Sequence, residues 1–237
     1  GLQSVKQLAL ELHTQVQAEK RLPEAMRVKT VLNFSLLGNP GTGKTTAARL
    51  LGKLLNELGL RENATFVATS GEEMARNGAD DAQELIQKAD GGVLFIDEAY
   101  DLDPAKKGTE ILSQLLTAAE DKRETLTIIM AGYKDDIEDK LYAANAGLKS
   151  RFRDLIFDDF SQGELKEIFI EFAEKHSWPL APQTAELASR RVARRRGVKG
   201  FANARDVRKL FEDAYRRATN RSDREDKAAR KEQAARR

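Results

Sequence analysis

Residues 38–45 have the sequence Gly38-Asn39-Pro40-Gly41-Thr42-Gly43-Lys44-Thr45. This matches the pattern Gly-x-x-x-x-Gly-Lys-Ser/Thr at every fixed position. Glycines allow backbone N–H groups to curve around phosphate oxygens, because no side chain stands in the way. The stretch therefore predicts a phosphate-binding loop between a strand and a helix.

The flanking segments have the periodicity that such a loop requires. Residues 31–37 form a short apolar run, which predicts a strand. In residues 47–58, alanine and leucine recur at spacings of three and four, which predicts a helix with one buried stripe. A helix that begins at the loop points its positive end toward a bound anion.

We expect the nucleotide contacts to come from this loop and the threonine after it. Lys44 can reach the β- and γ-phosphates, the Thr45 hydroxyl can hold magnesium, and Thr46 can contact the nucleotide nearer the α-phosphate. The expected cofactor-binding residues of the loop are Asn39, Pro40, Gly41, Thr42, Gly43, Lys44, Thr45 and Thr46.

Two adjacent carboxylates follow another apolar run. Residues 93–96 show no alternation, as expected for a strand buried on both faces, and Asp97 and Glu98 come directly after them. Adjacent acids at such a point are costly unless they meet a cation or water. We expect Asp97 to hold magnesium and Glu98 to orient and deprotonate the attacking water. The cofactors predicted are therefore ATP and Mg²⁺, and the predicted reaction is hydrolysis of the β–γ phosphoanhydride.

Strands and helices alternate along the first two thirds of the chain. The predicted strands are 31–37, 64–69, 93–96, 126–131 and 155–157, and the predicted helices are 3–21, 47–58, 82–89 and 111–120. This alternation predicts an α/β fold, a P-loop NTPase αβα sandwich with a five-stranded parallel sheet and right-handed crossovers.

The character of the sequence changes after Phe160. Ser161 and Glu164 form a capping-box pattern, and helical patterns without a strand continue to Thr219. We expect a large nucleotide-binding domain at 1–159, an all-α lid domain at 160–220, and a charged helix or tail at 221–237, with ATP in the crevice between the first two.

Composition restricts the possible environments and partners. The chain has 237 residues, no cysteine and a formal net charge of +2. The lack of cysteine excludes disulfides and thiolate metal sites and favours the cytoplasm or another reducing compartment, an organelle stroma included. No apolar run approaches the roughly 20 residues that span a bilayer. The chain begins at Gly1 without a methionine, which indicates an excised or processed segment.

With both motifs in place, the chain resembles the AAA+ ATPases of the CbbX/CfxQ type, whose members include red-type Rubisco activases and stage V sporulation protein K. The resemblance covers residues 1 to about 220. It is carried by Gly1-Leu2, Val5-Lys6, residues 38–45, residues 91–100, Ala131-Gly132-Tyr133, residues 147–152 and Asn203-Ala204-Arg205.

The resemblance implies further site residues. Arg151 resembles the arginine finger, which acts on the nucleotide of the neighbouring subunit, and Arg153 is the alternative. Arg205 resembles the sensor 2 arginine of the lid, and Tyr133 occupies the position of the polar sensor 1 residue. Leu2 lies in the stretch that resembles the adenine-contacting segment.

One departure from the family affects the functional interpretation. Threading members carry an aromatic pore-loop residue in the interval that corresponds to residues 70–81, but this interval has no Tyr, Phe or Trp, and Met74 is its only bulky apolar residue. This disfavours aromatic threading, and the chain resembles a module of the tandem multi-domain members.

Three functions remain open. The first is an ATPase that works in a homo- or hetero-oligomeric ring, such as a hexamer, to remodel a protein client. The second is a nucleotide-switched assembly or regulatory module that threads no substrate. The third is a nucleic-acid motor or loader, which the lack of aromatic residues around the basic run at 190–199 disfavours.

Overall fold

A parallel sheet forms the centre of the first of two units. The computed structural model describes residues 3–23, 32–104 and 108–235 and divides into Gly1–Asp158 and Asp159–Arg237. The strands of the sheet are β1 (Phe34–Gly38), β2 (Phe66–Ser70), β3 (Val93–Asp97), β4 (Thr127–Gly132) and β5 (Arg153–Phe157). They lie in the order β2-β3-β4-β1-β5, and all pairs are parallel. The predicted five-stranded parallel sheet is confirmed.

Helices connect the strands of the first unit. They are α1 (Gln3–Glu19), α2 (Lys44–Glu57), α3 (Gly71–Asn77), α4 (Ala79–Lys88), α5 (Thr109–Asp121), α6 (Lys134–Asp136) and α7 (Ala146–Arg151). A 3₁₀ turn follows β3 at Ala99–Leu102, and a π-helix follows α6 at Ile137–Tyr142.

Helices cover both faces of the sheet, because successive side chains along each buried strand point to opposite sides. Leu94 and Ile96 of β3 join the hydrophobic cluster formed with α3, α4 and α5. Val93 and Phe95 of the same strand join the cluster formed with α1 and α2. The αβα sandwich is therefore confirmed.

The interval at 70–81 is helical. Ser70 caps α3, because its hydroxyl accepts the backbone N–H of Glu73 at 3.2 Å. The Met74 side chain is fully buried in the core. In the sequence this interval corresponds to the pore loop of threading members, and in the structure the cap and the buried Met74 fix it to the folded domain.

All regular elements among the described residues of the second unit are helices, as predicted. Its helices are α8 (Gln162–Lys175), α9 (Pro182–Ala193) and α10 (Asn203–Ala235). The predicted capping box is present, since the side chains of Ser161 and Glu164 each accept the other residue's backbone N–H. The described part of 221–237 continues α10 instead of forming a separate segment.

Among the described residues, no helix is long and apolar enough to span a membrane.

A buried arginine joins two loops at the amino-terminal edge of the sheet. Arg61 is 4% exposed, and burial lowers the pKa of its guanidinium to about 10, so the group is charged at neutral pH. Its donors are accepted by the Thr127 hydroxyl and by the backbone carbonyls of Leu60, Arg123, Glu124 and Leu126. The guanidinium thus connects the loop before β2 to the loop before β4.

Replacement of Arg61 by methionine is expected to lower the free energy of unfolding by about 2–4 kcal/mol, because buried carbonyls lose their donors. Urea denaturation followed by circular dichroism measures the change. The matched control is Arg123→Met at a half-exposed position, for which we expect a change within about 0.5 kcal/mol. Equal stabilities of the two variants would contradict the structural role of Arg61.

Candidate functional site

The phosphate-binding loop connects β1 to α2, and its glycines have distinct roles. A Cβ on Gly38 would lie 2.2 Å from the Phe157 carbonyl oxygen, so this glycine permits close pairing of β1 with β5. Gly41 and Gly43 have positive φ angles of 69° and 93°, which favour glycine. The loop thus turns sharply at two points before α2 begins at Lys44.

Lys44 and Thr42 bind the backbone of the same loop. The Lys44 ammonium donates to the carbonyls of Gly38 at 2.7 Å and Asn39 at 2.9 Å. The buried Thr42 hydroxyl also donates to the Asn39 carbonyl, at 2.8 Å. These contacts fix a positive charge at the start of α2, where the helix N-terminus also favours an anion.

Thr45 and Asp97 meet across the sheet. The Thr45 hydroxyl donates to Asp97 Oδ2 at 3.3 Å, although β4 lies between β1 and β3. Both residues are half-buried. One hydroxyl and one carboxylate suit Mg²⁺, which keeps several waters and takes further ligands from substrate phosphates. The donor set therefore fits the magnesium that the sequence predicts.

Glu98 has an unusual backbone conformation. Its φ and ψ angles are 50° and 42°, in the left-handed region, and its side chain is exposed. Its N–H donates to Asp97 Oδ1 at 3.1 Å, and its carbonyl accepts the N–H of Asp101 at 3.0 Å. A non-glycine residue in this region is strained, and such strain persists where the surroundings fix it, often at functional sites.

Tyr133 follows the end of β4, at the same edge of the sheet as Asp97 and Glu98. Its ring lies 5.8 Å from that of Tyr100, in the turn after Glu98. Burial raises the pKa of the Tyr100 phenol, and the negative charges of Glu98 and Asp101 raise it further. Tyr100 was not among the predicted site residues, although it lies two residues after Glu98 in the motif Asp-Glu-Ala-Tyr.

The two arginine-finger candidates lie near the amino-terminal ends of the strands, opposite the end that carries the phosphate-binding loop. Arg151 ends α7, and its guanidinium pairs with Glu120 at 3.2 Å and donates to the Gly147 carbonyl at 3.2 Å. Arg153 begins β5 and pairs with Glu11 of α1 at 2.7 Å. The two candidates thus contact different elements.

The predicted site includes four more described residues. Thr46 is exposed in the first turn of α2, and Asn39 and Pro40 are half-buried in the loop. Arg205 is exposed on α10 of the second unit. Leu2 lies outside the described residues. The roles of all these residues stay predictions.

Two family models match the chain. A model of the ATPase family associated with various cellular activities (AAA) matches residues 34–158. A model of an AAA lid domain matches residues 161–236.

Several curated proteins are similar over most of their length. The CfxQ homolog of Galdieria sulphuraria is 35% identical over 90% of this chain and 72% of its own. The chloroplastic ribulose bisphosphate carboxylase/oxygenase activase of Cyanidioschyzon merolae is 33% identical, over 93% of this chain and 79% of its own. The CbbX protein of Cereibacter sphaeroides is 34% identical, over 86% and 69%.

Solved structures of similar fold include a mutant RuvB protein of Thermotoga maritima. It has a TM-score of 0.58 and 23% sequence identity, and the match covers 90% of this chain and 69% of RuvB. At this identity the likeness shows the shared fold alone.

Proposed function

This chain belongs to the AAA family of ATPases, in the group of the CfxQ and CbbX proteins, and on that premise we propose that it hydrolyses ATP with Mg²⁺ in a ring of subunits to act on a protein partner. Nucleotide binding and ATPase activity follow from the family. The metal, the ring, the partner and the residue roles are the parts proposed here.

The observation that carries the ring proposal is the distance of Arg151 from its own phosphate-binding loop. In the β1–β5 ladder, Arg153 pairs with Phe34, whereas Gly38 pairs with Phe157 at the far end. The separation of four residue steps between these ends corresponds to about 13 Å along the strand. Arg151 precedes β5 and is paired with Glu120 at the end of α5. This position favours action on the nucleotide of a neighbouring subunit.

The groups that act within one subunit lie at the carboxyl-terminal ends of the strands. Lys44 would bind the β- and γ-phosphates, and Thr45 and Asp97 would hold the magnesium, which would neutralise charge on the phosphate oxygens. Glu98 accepts a proton from the water that attacks the γ-phosphorus, and the bond from that phosphorus to the β–γ bridging oxygen breaks. Tyr133 polarises the same water, and Arg205 of the second unit has the proposed role of the sensor 2 arginine.

The magnesium assignment predicts a specific defect for Thr45→Ala. We expect the Mg²⁺ concentration for half-maximal turnover to rise about tenfold, which corresponds to roughly 1.4 kcal/mol for one lost ligand. Titration of Mg²⁺ at saturating ATP measures the shift. Thr117→Ala, which removes an exposed helical hydroxyl bonded to the Ser113 carbonyl, is the control. An unchanged Mg²⁺ dependence in Thr45→Ala would exclude Thr45 as a ligand.

A protein client is favoured because relatives at 33–35% identity include one named as an activase of another enzyme. The test uses ribulose bisphosphate carboxylase/oxygenase as the probe client. Faster ATP turnover in its presence supports remodelling. An ATP-dependent change in assembly mass by light scattering, without any effect of the probe, supports the switch function instead.

The burial of Met74 is the observation that favours the second candidate, a nucleotide-switched module without threading. Within the interval 70–81, α3 covers Gly71–Asn77 and α4 begins at Ala79, and Met74, the only bulky apolar residue of the interval, is buried in the core. A ring with this segment at its pore has no aromatic side chain there to hold a polypeptide.

A nucleic-acid motor is disfavoured by the pairing within the basic run. Arg195 lies 3.3 Å from Asp206, and Arg190 lies 3.8 Å from Glu186. These carboxylates neutralise part of the positive charge that phosphate contacts need.

For the compartment we propose the cytoplasm or an organelle stroma, supported by the lack of cysteine and by the chloroplastic relative.

A further inference from the structure

Gly71, the first residue of α3, packs against the backbone of Glu98. A Cβ placed on Gly71 would lie 2.5 Å from the Glu98 carbonyl oxygen, 3.2 Å from Ala99 Cα and 3.3 Å from Asp101 Cβ. The nearest of these atoms is backbone, which cannot move aside as the end of a flexible side chain can. The φ angle of Gly71 is not positive. Glycine is therefore required at this position because a Cβ would not fit, and not because the backbone needs a positive φ angle.

The Glu98 peptide is held by three contacts. Its N–H is bound by the Asp97 carboxylate, its carbonyl accepts the Asp101 N–H, and Gly71 packs against that carbonyl. Because the left-handed conformation of Glu98 is strained, it persists only where such contacts fix it.

α3 is itself fixed to the same turn. Ser70, which caps α3, pairs with Asp97 in the β2–β3 ladder. Met74, one turn further along α3, is buried in one cluster with Ala99 and Leu102 of the 3₁₀ turn. A displacement of the first turn of α3 therefore moves Gly71, which contacts the Glu98 backbone.

We propose that Gly71 is a positioning residue, whose contact with the Glu98 backbone sets the position of the Glu98 carboxylate. A displacement of the first turn of α3 therefore changes the rate of ATP hydrolysis. The proposal rests on the proposed role of Glu98 as the base. A general base misplaced by about 1 Å can cost roughly 100-fold in rate, because proton abstraction depends on close approach.

The substitution Gly71→Ala distinguishes this role from a general effect on the helix. Alanine favours helix over glycine, so a structural role confined to α3 predicts unchanged or higher stability and unchanged turnover. The proposed role predicts a fall in kcat of roughly 10–100-fold with a change of less than about twofold in the Kd for ATP.

The experiment compares four proteins in the same assembly state: the unaltered chain, Gly71→Ala, Glu72→Ala and Gly163→Ala. Glu72 is the exposed neighbour of Gly71. A Cβ on Gly163, in α8, would lie 3.9 Å from the Ser161 hydroxyl oxygen, which is an ordinary contact distance. We expect kcat to fall in Gly71→Ala alone, with ATP binding kept in all four. Unchanged kcat in Gly71→Ala would overturn the proposal.

Two further measurements keep the test decisive. If Gly71→Ala does not fold, Ser70→Ala replaces it, since loss of the cap loosens the first turn of α3, and an unchanged kcat would again overturn the proposal. If the unaltered chain shows no turnover, the proposed function fails. In that case the Cα and amide NMR chemical shifts of Glu98 test the contact with Gly71. Chemical shifts in Gly71→Ala that depart from those of the left-handed conformation support the proposal. Chemical shifts identical to those of the unaltered chain overturn it.

Discussion

Replacement of Glu98 by glutamine is expected to lower the ATP turnover of this chain by about 10²–10⁴-fold, the usual contribution of a general base. Glutamine keeps the size of the side chain but cannot accept the proton of the attacking water. ATP affinity should stay nearly unchanged, because the phosphates are bound by the loop at 38–45. Steady-state phosphate release and equilibrium binding of fluorescent ATP measure the two quantities.

The control for this substitution is Glu110→Gln, which makes the same chemical change at an exposed position in the first turn of α5. Its turnover should equal that of the unaltered chain. If Glu98→Gln hydrolyses ATP at the rate of this control, Glu98 is not the base. The strained backbone at residue 98 would then need another explanation.

Replacement of Arg151 by alanine is expected to lower turnover by about 10³-fold, in the range found for arginine fingers. The guanidinium would neutralise charge that develops on the γ-phosphate of a neighbouring subunit. ATP binding by the variant should be kept, since Arg151 lies at the amino edge of the sheet and the loop lies at the carboxyl edge. Arg123→Ala, which removes the other arginine paired with Glu120, is the control.

A mixing experiment tests whether Arg151 acts between subunits. Arg151→Ala keeps its own base, and Glu98→Gln keeps its own finger, so a mixed ring contains some sites with both groups. In an equimolar random mixture about a quarter of the sites are complete, and turnover should recover toward that fraction. If the mixture remains as inactive as its components, the finger does not act in trans.

Arg153→Ala separates the two finger candidates. Arg153 pairs with Glu11 of α1 through a contact of 2.7 Å between exposed side chains, which indicates attachment of α1 to β5. We therefore expect the large kinetic defect in Arg151→Ala and a small one in Arg153→Ala. The reverse result would assign the finger to Arg153.

The interval at 70–81 illustrates how a local signal can be missed. Ser70 and Glu73 have the spacing of a helix cap and Met74 supplies a buried position, so α3 was detectable in the sequence, whereas most of α4 was predicted as the helix at 82–89. The resemblance to threading members pointed instead to the lack of aromatic residues in this interval. In the structure Met74 is buried in one cluster with the turn that follows Glu98, while Glu72, Glu73 and Asn77 of the same helix are exposed.

The sequence by itself determined the phosphate-binding loop, the carboxylate pair and the αβα layers of this protein. Each depends on residues close together in the chain: two glycines and a lysine in one turn, two acids after one strand, and apolar spacings within single helices or strands. Such features have a conformation that neighbouring residues largely impose.

Only the tertiary structure decided the contact of Gly71 with Glu98, the burial of Arg61 and the position of Arg151 opposite the loop. Nothing in the sequence around Arg61 distinguishes it from a solvated arginine, because its acceptors are carbonyls of a loop more than 60 residues away. The parallel register of β1 and β5 likewise places Arg151, which precedes β5, at the opposite end of the strands from the loop. These relations arise when segments that are distant in the chain pack together. Sequence patterns do not reveal them, because every residue offers the same backbone groups whatever its side chain.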